Sequence, residues 1–387
     1  MKGKITHQVL SAAAMMLAVG ACAPKSDQHD ELYLLTGSYN GADTESVKVF
    51  CFDQQTGDWT FVSGAKGVTN PTFLCTNRAE DRVYAVGEFD EDDKATMNVF
   101  SFDKTSGTLT LLSSRMNGSG APCNITLSPD EDYLLSANYC GGSVTIYRLA
   151  QDGTLPADPY TLLYVGHGAN PERQEKPHLH AVNFTPDGKY LLTNDLGSDL
   201  ISVFPVKDTQ HQDTIQDPMP LLDMEHSYTV SVDPGAGPRH LCFSPDARFA
   251  YLITELSGQI YTLSYQDDTL RVVDKLVADT LQAGGSADIH ITRDGRYLYA
   301  SHRLQGDGIS IYSVNALTGK LTRIGYQPTG IHPRNFALTP NDRYLLVACR
   351  DSNTIQVFAR DEQTGMLSPV GKDIETPKPM FVTFLSK

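Results

Sequence analysis

Histidine, arginine and glutamate side chains recur in this sequence where short apolar runs begin or end. In residues 237–256, Arg239 and His240 precede one such run, and Glu255 follows the next. A Ser-Pro-Asp turn between the two runs predicts that they pair as an antiparallel hairpin. Because both ends of a hairpin lie at one edge, we expect Arg239, His240 and Glu255 to meet there.

These residue types point to binding of an anion and to proton transfer. Arginine binds carboxylate or phosphate through two parallel hydrogen bonds, so Arg239, Arg303 and Arg334 suit an anionic ligand. A histidine or glutamate among cations can act as general base or acid near neutral pH, so His180 or Glu255 could activate water. The alternative is structural: Arg239 and Glu255 form a salt bridge, and the histidines only hydrogen-bond neighbouring strands.

The same hairpin recurs along the chain with other polar residues at its ends. We expect these ends to open on one rim, where they gather histidines and arginines of an otherwise acidic chain. The resulting candidates for ligand binding, besides the catalytic candidates His180, Arg239 and Glu255, are His178, His240, Arg303, Arg334, Asn335 and Asn138.

The elements that position these residues form a repeat of about fifty residues, each reading as four short strands. Six repeats are complete and one is split: residues 32–63 lack a first strand, and residues 380–385 form a first strand with nothing after it. The two ends complete one another. The sequence therefore predicts an all-β fold, a seven-bladed β-propeller of four-stranded blades closed by pairing of the N- and C-terminal strands.

Two long segments interrupt the repeat, residues 152–176 before His178 and residues 208–237 before Arg239. Loops of this length in a compact fold are often functional, and both of these enter the candidate rim. Variable surface decoration is the alternative interpretation.

The N-terminus has the pattern of an export signal. Lys2 and Lys4 precede an apolar stretch that ends in small residues before Cys22. We expect residues 1–21 to be a signal peptide and Cys22 to be lipidated, as in bacterial lipoproteins. Residues 22–30 would then be a tether and residues 31–387 the propeller domain. A plain secretory signal is the alternative, and in either case the protein would be exported, with membrane attachment only through the lipid.

Composition excludes several other classes of function. The 46 acidic and 31 basic residues give a net charge of −15, and no basic patch indicates nucleic-acid binding. The six cysteines after Cys22 show no CxxC spacing and are expected to be buried free thiols, although an exported protein could form a disulfide. His178 and His180 could supply two metal ligands, but nothing fixes the others, so we expect no metal site. There is no G-x-S-x-G elbow, P-loop or G-x-G-x-x-G motif.

At the candidate rim the sequence resembles the seven-bladed propeller lactonases, which include bacterial 6-phosphogluconolactonases and fungal enzymes that form the lactone of carboxymuconate. The resemblance extends over essentially all of the chain after the tether. It implies an active site at His180, Arg239 and Glu255, a substrate pocket with Arg303 and Arg334, and no obligatory metal or organic cofactor. The motifs that carry it are Pro177-His178-Leu179-His180, Pro186-Asp187-Gly188, residues 195–199, Gly237-Pro238-Arg239-His240 with Glu255, and His332-Pro333-Arg334-Asn335.

The favoured hypothesis is a monomeric enzyme that hydrolyses a small anionic lactone, most simply 6-phosphogluconolactone. The predicted export of this protein differs from the cytoplasmic location of other family members, so the identity of the substrate stays open. A non-catalytic propeller that binds a carbohydrate or a protein is the alternative from another class. A lyase-type lactonising enzyme would use the same residues in the reverse direction.

Overall fold

Runs of β-branched and aromatic residues, separated by turns rich in Asp, Asn and Gly, form 29 strands in the part of the chain that the structure describes. This computed structural model describes residues 30–156, 158–207 and 221–387. The predicted signal peptide, Cys22 and nearly all of the tether lie outside these residues. The strands are β1 (Glu31–Ser38), β2 (Val47–Asp53), β3 (Trp59–Ala65), β4 (Leu74–Thr76), β5 (Arg82–Gly87), β6 (Thr96–Asp103), β7 (Thr108–Met116), β8 (Pro122–Leu127), β9 (Tyr133–Asn138), β10 (Ser143–Arg148), β11 (Tyr160–Leu163), β12 (Leu179–Phe184), β13 (Tyr190–Asp195), β14 (Leu200–Pro205), β15 (Tyr228–Ser231), β16 (Pro238–Phe243), β17 (Phe249–Thr254), β18 (Gln259–Gln266), β19 (Thr269–Val277), β20 (Ser286–Ile291), β21 (Tyr297–His302), β22 (Gly308–Val314), β23 (Leu321–Pro328), β24 (Pro333–Leu338), β25 (Tyr344–Cys349), β26 (Thr354–Arg360), β27 (Leu367–Pro369), β28 (Ile374–Glu375) and β29 (Pro379–Ser386).

These strands pair as seven antiparallel sheets, which confirms the seven-bladed propeller. Six sheets take consecutive strands: β4–β7, β8–β11, β12–β15, β16–β19, β20–β23 and β24–β28. In the last of these the fourth strand is broken, because β27 and β28 both pair with β26. A central cavity is lined by residues of β8, β12, β16, β20, β24 and β29, so the first strand of each blade is the innermost.

The seventh sheet closes the ring, as the split repeat predicts. Its order is β29-β1-β2-β3, and β29 pairs antiparallel with β1 so that Leu35 lies opposite Thr383. The last strand of the chain is thereby the innermost strand of the first blade. Closure leaves no unpaired edge at either end of the ring.

Apolar side chains fill the space between neighbouring blades. One cluster joins Leu192 and Ile201 of one blade to Leu241 and Leu252 of the next, all of them buried. No helix among the described residues is long and apolar enough to cross a membrane. The helix that joins β25 to β26, Arg350–Ser352, is a single 3-10 turn.

The two long segments expected to be loops each contain the fourth strand of a blade. Residues 160–163 form β11 on β10, and residues 228–231 form β15 on β14. These outer strands are short and only half-buried, so they carry a weak hydrophobic signal. After β11, the rest of the first segment, residues 164–176, runs from the outside of one blade toward the inner strand of the next.

A β-bulge recurs at the entrance of the inner strands. In six of the blades the register with the neighbouring strand slips there, which leaves an unpaired residue on the inner strand. Bulges of this kind re-aim a side chain and are common beside active sites. The residues at this place, which we call the bulge ring, are Cys123, His180, Arg239, Ala287, Arg334 and Met380, with Thr72 in the equivalent place before β4.

A second ring lies at the ends of the second strands. In every blade, the residue that directly follows the second strand donates its backbone N–H to a carbonyl oxygen over 2.8–3.2 Å. That carbonyl belongs to the residue two positions before the bulge-ring residue of the same blade. The bond is the same in all seven blades, so the seven side chains surround one opening of the central channel, which we call the mouth. This strand-end ring consists of Tyr39, Glu88, Tyr139, Leu196, Glu255, Arg303 and Arg350.

Candidate active site

The hairpin of β16 and β17 brings Arg239 and Glu255 together, as the sequence predicts. The Nε atom of Arg239 donates to Oε2 of Glu255 over 2.8 Å, and both side chains are buried. His240 lies beside them, with its Nε2 atom 3.3 Å from Nη1 of Arg239. The predicted salt bridge between Arg239 and Glu255 is therefore present. Whether it also has a chemical role depends on the residues around it.

Glu255 is the anionic centre of the site. Besides Arg239, it accepts a hydrogen bond from Nη2 of Arg173 over 2.8 Å, and Nη2 of Arg303 lies 3.1 Å from its Oε2 atom. Burial by itself raises the pKa of Glu255, but Arg303, Arg239 and Arg173 outweigh it and hold the pKa well below its usual range. Glu255 is ionised throughout the physiological pH range, and one carboxylate serves three guanidinium groups.

His180 is a neutral imidazole next to this cluster. Its Nε2 atom lies 3.8 Å from Oε2 of Glu255, and its Nδ1 atom lies 3.7 Å from Sγ of Cys123. Burial, reinforced by the charges of Arg239 and other neighbouring cations, lowers the pKa of His180 well below its usual value. The rings of Tyr139 and His240 pack edge-on against it at 5.7 and 5.3 Å. The imidazole is thus fixed in place and uncharged.

Arg334 is a cation without a partner among the described residues. It is only partly buried, and neither a hydrogen bond nor an ion pair connects its guanidinium to the rest of the described chain. Its charge acts on His180, Arg239 and Arg303, so it faces the same space. A half-buried, unpaired guanidinium is suited to an anionic group of a ligand.

Arg303 is held more tightly than Arg334. Its Nε atom donates to the carbonyl oxygen of Gly285 over 2.7 Å, and its Nη1 atom lies 3.2 Å from Nε2 of His332. Burial lowers the pKa of Arg303 to about 9, although Glu255 raises it. All three nitrogen atoms of this guanidinium therefore have a partner within the site.

Below the mouth, a polar cluster around Asp288 lines a cavity of about 220 Å³. Oδ1 of Asp288 accepts from Nδ1 of His240 over 2.7 Å, and Oδ2 lies 3.0 Å from Nε2 of His290. Asn335 donates to Oδ2 of Asp288 and accepts from the backbone N–H of Val382. Both ends of the Asn335 amide are engaged in joining neighbouring inner strands.

Two other predicted ligand-binding residues are engaged in contacts with neighbouring parts of the chain. Asn138 is fully buried inside its own blade, where its amide bonds Asn117, Ser143 and Thr145. His178 stacks on the ring of Tyr139 at 4.4 Å. Its Nδ1 atom faces the Tyr139 carbonyl oxygen, and its Nε2 atom lies 3.2 Å from Glu175.

Sequence reasoning missed Arg173 and Tyr139 as members of the site. Arg173 lies in the long segment 152–176 and reaches the mouth, where its Nη2 atom bonds both Glu255 and the hydroxyl group of Tyr139. Gln174 anchors the segment by donating to Asp199 and to the carbonyl oxygen of Leu196. The signal was available for Arg173, since an arginine in an insertion that enters the rim is unusual in this acidic chain.

Among residues 30–156, 158–207 and 221–387, no group of three or more His, Cys, Asp or Glu side chains has the arrangement to hold a metal ion. His178 and His180 turn their Nδ1 atoms toward different neighbours, a carbonyl oxygen and a thiol. The six described cysteines are free thiols, of which Cys123 and Cys349 are buried and the other four are partly buried.

The seven-bladed propeller is shared with known proteins. A family model described as "Lactonase, 7-bladed beta-propeller" matches residues 33–384. The chain belongs to this family. A relative named 6-phosphogluconolactonase, from Bacillus subtilis (strain 168), is 30% identical over 355 residues, which are 90% of this chain and 97% of the relative.

Solved structures of family relatives superpose closely. A crystal structure from Bacteroides fragilis NCTC 9343 is 42% identical, with a TM-score of 0.87 over 94% of this chain and all of the other. The periplasmic gluconolactonase of Pseudomonas aeruginosa is 30% identical, with a TM-score of 0.84 over 92% of this chain and 99% of the other. Both likenesses extend over the whole propeller.

Proposed function

We propose that this protein hydrolyses a sugar-derived lactone of the 6-phosphogluconolactone class at the mouth of its central channel. The observation that carries the proposal is a neutral imidazole, His180, next to a cluster in which three arginines share the carboxylate of Glu255 and a fourth, Arg334, has no partner among the described residues. Such a site can stabilise negative charge that develops during a reaction. Cations held in place beforehand usually make a large contribution to lowering the activation barrier. The names of the family relatives agree with this chemistry.

His180 is the general base in this mechanism. Glu255 is a poor base, because both of its carboxylate oxygens already accept hydrogen bonds from arginines. With its proton on Nδ1, facing Cys123, His180 takes a proton from water at Nε2 as the water oxygen attacks the lactone carbonyl carbon. The charge of Glu255, 3.8 Å from Nε2, stabilises the imidazolium that forms.

Arg334 stabilises the negative charge that this step creates on the substrate. The carbonyl oxygen becomes an oxyanion in the tetrahedral intermediate, and Arg334, which has no partner among the described residues, binds it. When the bond between the carbonyl carbon and the ring oxygen breaks, the imidazolium returns its proton to the ring oxygen. The product is a hydroxy acid, whose carboxyl group ionises and releases one proton to solvent.

Proton release provides the assay. We expect turnover of 6-phosphogluconolactone, of unphosphorylated gluconolactone or of both above the spontaneous rate. His180→Gln should lower kcat by about 10²–10⁴-fold, and Arg334→Ala should lower kcat/KM by about 10²–10³-fold. Arg343→Ala is the matched control, because Arg343 is exposed in the turn at the far end of the β24–β25 hairpin.

Turnover that survives in both mouth variants would contradict the mechanism. A folded protein that binds sugar acids but hydrolyses neither lactone would favour the non-catalytic binding propeller. Lactone formation from an unsaturated acid, lost in the same variants, would favour the lyase-type alternative.

We also propose that the protein is exported and attached to a membrane through a lipidated Cys22. The support is the N-terminal signal pattern together with the periplasmic relative from Pseudomonas aeruginosa. Fatty-acid labelling of the wild-type protein, and its loss in Cys22→Ser, would be the expected result. An unlabelled wild-type protein released into the medium would instead indicate a plain secretory signal.

A further inference from the structure

Glu88 is a second carboxylate at the mouth, and the proposed mechanism does not use it. It occupies the same place as Glu255 in the strand-end ring, because its backbone N–H donates to the carbonyl oxygen of Asn70 as that of Glu255 donates to Gly237. Its Oε2 atom accepts a hydrogen bond from the hydroxyl group of Thr72, the residue equivalent to Arg239. Glu88 is half-buried and forms no ion pair with any described residue.

The neighbours of Glu88 in the ring are aromatic. Tyr39 precedes it and Tyr139 follows it around the mouth. The Tyr39 side chain is 42% exposed, and its hydroxyl group makes no hydrogen bond with a described residue. An acceptor carboxylate between two tyrosines, one with a free hydroxyl, is suited to a ligand with an apolar ring face and several hydroxyl groups.

Glu88 and Arg334 are oppositely charged, yet they do not pair with each other. Both charges act on the thiol of Cys123 and on the hydroxyl of Tyr39, so they face a common space. They belong to the two blades on either side of the closing blade, which carries Tyr39 between them. The proposed mechanism places the oxyanion at Arg334, so we expect substituents on the other side of Tyr39 to lie toward Glu88.

The other cations of the mouth are already engaged. Arg303 and Arg239 contact Glu255, and Arg350 forms two short contacts of 2.7 and 2.8 Å with Asp351. Within the described residues, Arg334 is thus the ring cation that no carboxylate neutralises, and the proposed reaction requires it for the oxyanion. A phosphate group on the substrate's tail would meet the carboxylates of Glu88 and, beyond it, the exposed Asp90. The cation on that side, Lys176, is bound through Nζ to the carbonyl oxygen of Cys140.

We propose that Glu88, Tyr39 and Tyr139 form the subsite for the hydroxyl groups of an unphosphorylated sugar lactone, and that Glu88 selects against a phosphorylated one. The inference rests on the proposed lactonase function and specifies its substrate class. The carboxylate of Glu88 accepts hydrogen bonds from the hydroxyl groups of a neutral polyol tail, and its negative charge repels a phosphate dianion.

Two substrates and two variants test this. We expect wild-type kcat/KM to be at least about tenfold higher for gluconolactone than for 6-phosphogluconolactone. Glu88→Gln should reduce that ratio by about ten- to hundredfold, because a hydrogen bond to a charged acceptor is lost and the repulsion is removed. Glu91→Gln, which removes the same charge from an exposed residue paired with Lys94, should leave the ratio unchanged.

Binding of the reaction products separates this inference from the proposed function. By titration calorimetry, wild type should bind gluconate more tightly than 6-phosphogluconate, and Glu88→Gln should remove the difference. If neither lactone is hydrolysed, the proposed function fails, and the calorimetry still decides the inference. A wild-type preference for the phosphorylated compounds, or a ratio that Glu88→Gln leaves unchanged, would overturn the role of Glu88.

Discussion

Glu88 and Glu255 occupy the same place in two blades but differ in almost every physical property. Glu255 is 7% exposed and contacts three arginines, whereas Glu88 is half-buried and bonds a threonine hydroxyl. Part of the difference comes from the bulge ring, which supplies Arg239 to one carboxylate and Thr72 to the other. The rest comes from Arg173 and Arg303, which reach Glu255 from other parts of the chain. The repeat therefore fixes where a side chain stands, and its neighbours on other blades decide whether its charge is neutralised.

This contrast divides the mouth into two halves. We call one half dry because Arg239, Glu255 and Arg303 are buried there. The two guanidinium groups share the Glu255 carboxylate with that of the more exposed Arg173. The half that contains Glu88 keeps free acceptors and aromatic surface. We assign the first half to chemistry and the second to recognition of the substrate.

The largest expected effect comes from removing the carboxylate of the dry half. Glu255→Gln leaves Arg239 and Arg303 buried without a counter-charge, so we expect the free energy of unfolding to fall by about 3–5 kcal/mol. We expect kcat/KM to fall by about 10²–10³-fold. Urea denaturation and the proton-release assay measure the two effects.

Glu88→Gln is the control for that change. It removes the same charge from the equivalent place, and we expect it to alter stability by less than about 1 kcal/mol, because no buried cation depends on it. Equal losses of stability in the two variants would show that the two halves are energetically alike.

The next effect is a pH dependence of stability to which His240, beside the dry half, contributes. Burial and the charge of Arg239 lower the pKa of His240 to about 4, despite the hydrogen bond to Asp288. The unfolded chain, with an ordinary histidine pKa of about 6.5, binds more protons between these values, so this histidine makes stability fall as pH drops from about 6.5 to 4. The contribution is at most about 3 kcal/mol.

His240→Gln should make the dependence of the unfolding free energy on pH less steep over that range. It should not abolish it, because burial also lowers the pKa of His180 and His302. Denaturant melts at pH 7, 5.5 and 4 measure the slope. His226→Gln is the control, since His226 is exposed and its pKa is raised by Asp223 rather than lowered. A slope that is as steep in His240→Gln as in the wild type would contradict the contribution of His240.

The smallest effect concerns the orientation of Glu88. Thr72→Val removes the hydroxyl group that fixes Oε2 of Glu88, with little change in volume. We expect kcat/KM for gluconolactone to fall about two- to tenfold, the equivalent of one hydrogen bond. Activity toward 6-phosphogluconolactone should change less. A larger loss with the phosphorylated substrate would contradict the division of the mouth.

Much of the fold was predictable because each blade repeats a local pattern. The turns, the alternation of apolar residues and the split first blade predict seven four-stranded sheets and the pairing of β1 with β29, which the structure confirms. The outer strands β11 and β15 were not predicted as such. They are short and pack on one side only, so tertiary pairing rather than sequence pattern determines them.

The candidate site was predictable in part. The hairpin argument requires Arg239 and Glu255 to meet, and they do. It treats Asn138 and Asn335 in the same way, yet the structure engages their amides in hydrogen bonds within a blade and between blades. Local sequence cannot distinguish an amide that faces a channel from one that joins two strands, because the difference lies in the partner from a distant part of the chain.

The sequence by itself determined the blade repeat, the ring closure and the set of residues at the hairpin ends, since these depend on contacts close in sequence or on a fixed period. Tertiary structure decided which of those residues bear an uncompensated charge. Arg173 crosses from an insertion to Glu255, 82 positions away in sequence, and Arg334 is left without a partner among the described residues. Charge balance in a buried site depends on distances between blades, and the ring geometry sets those distances.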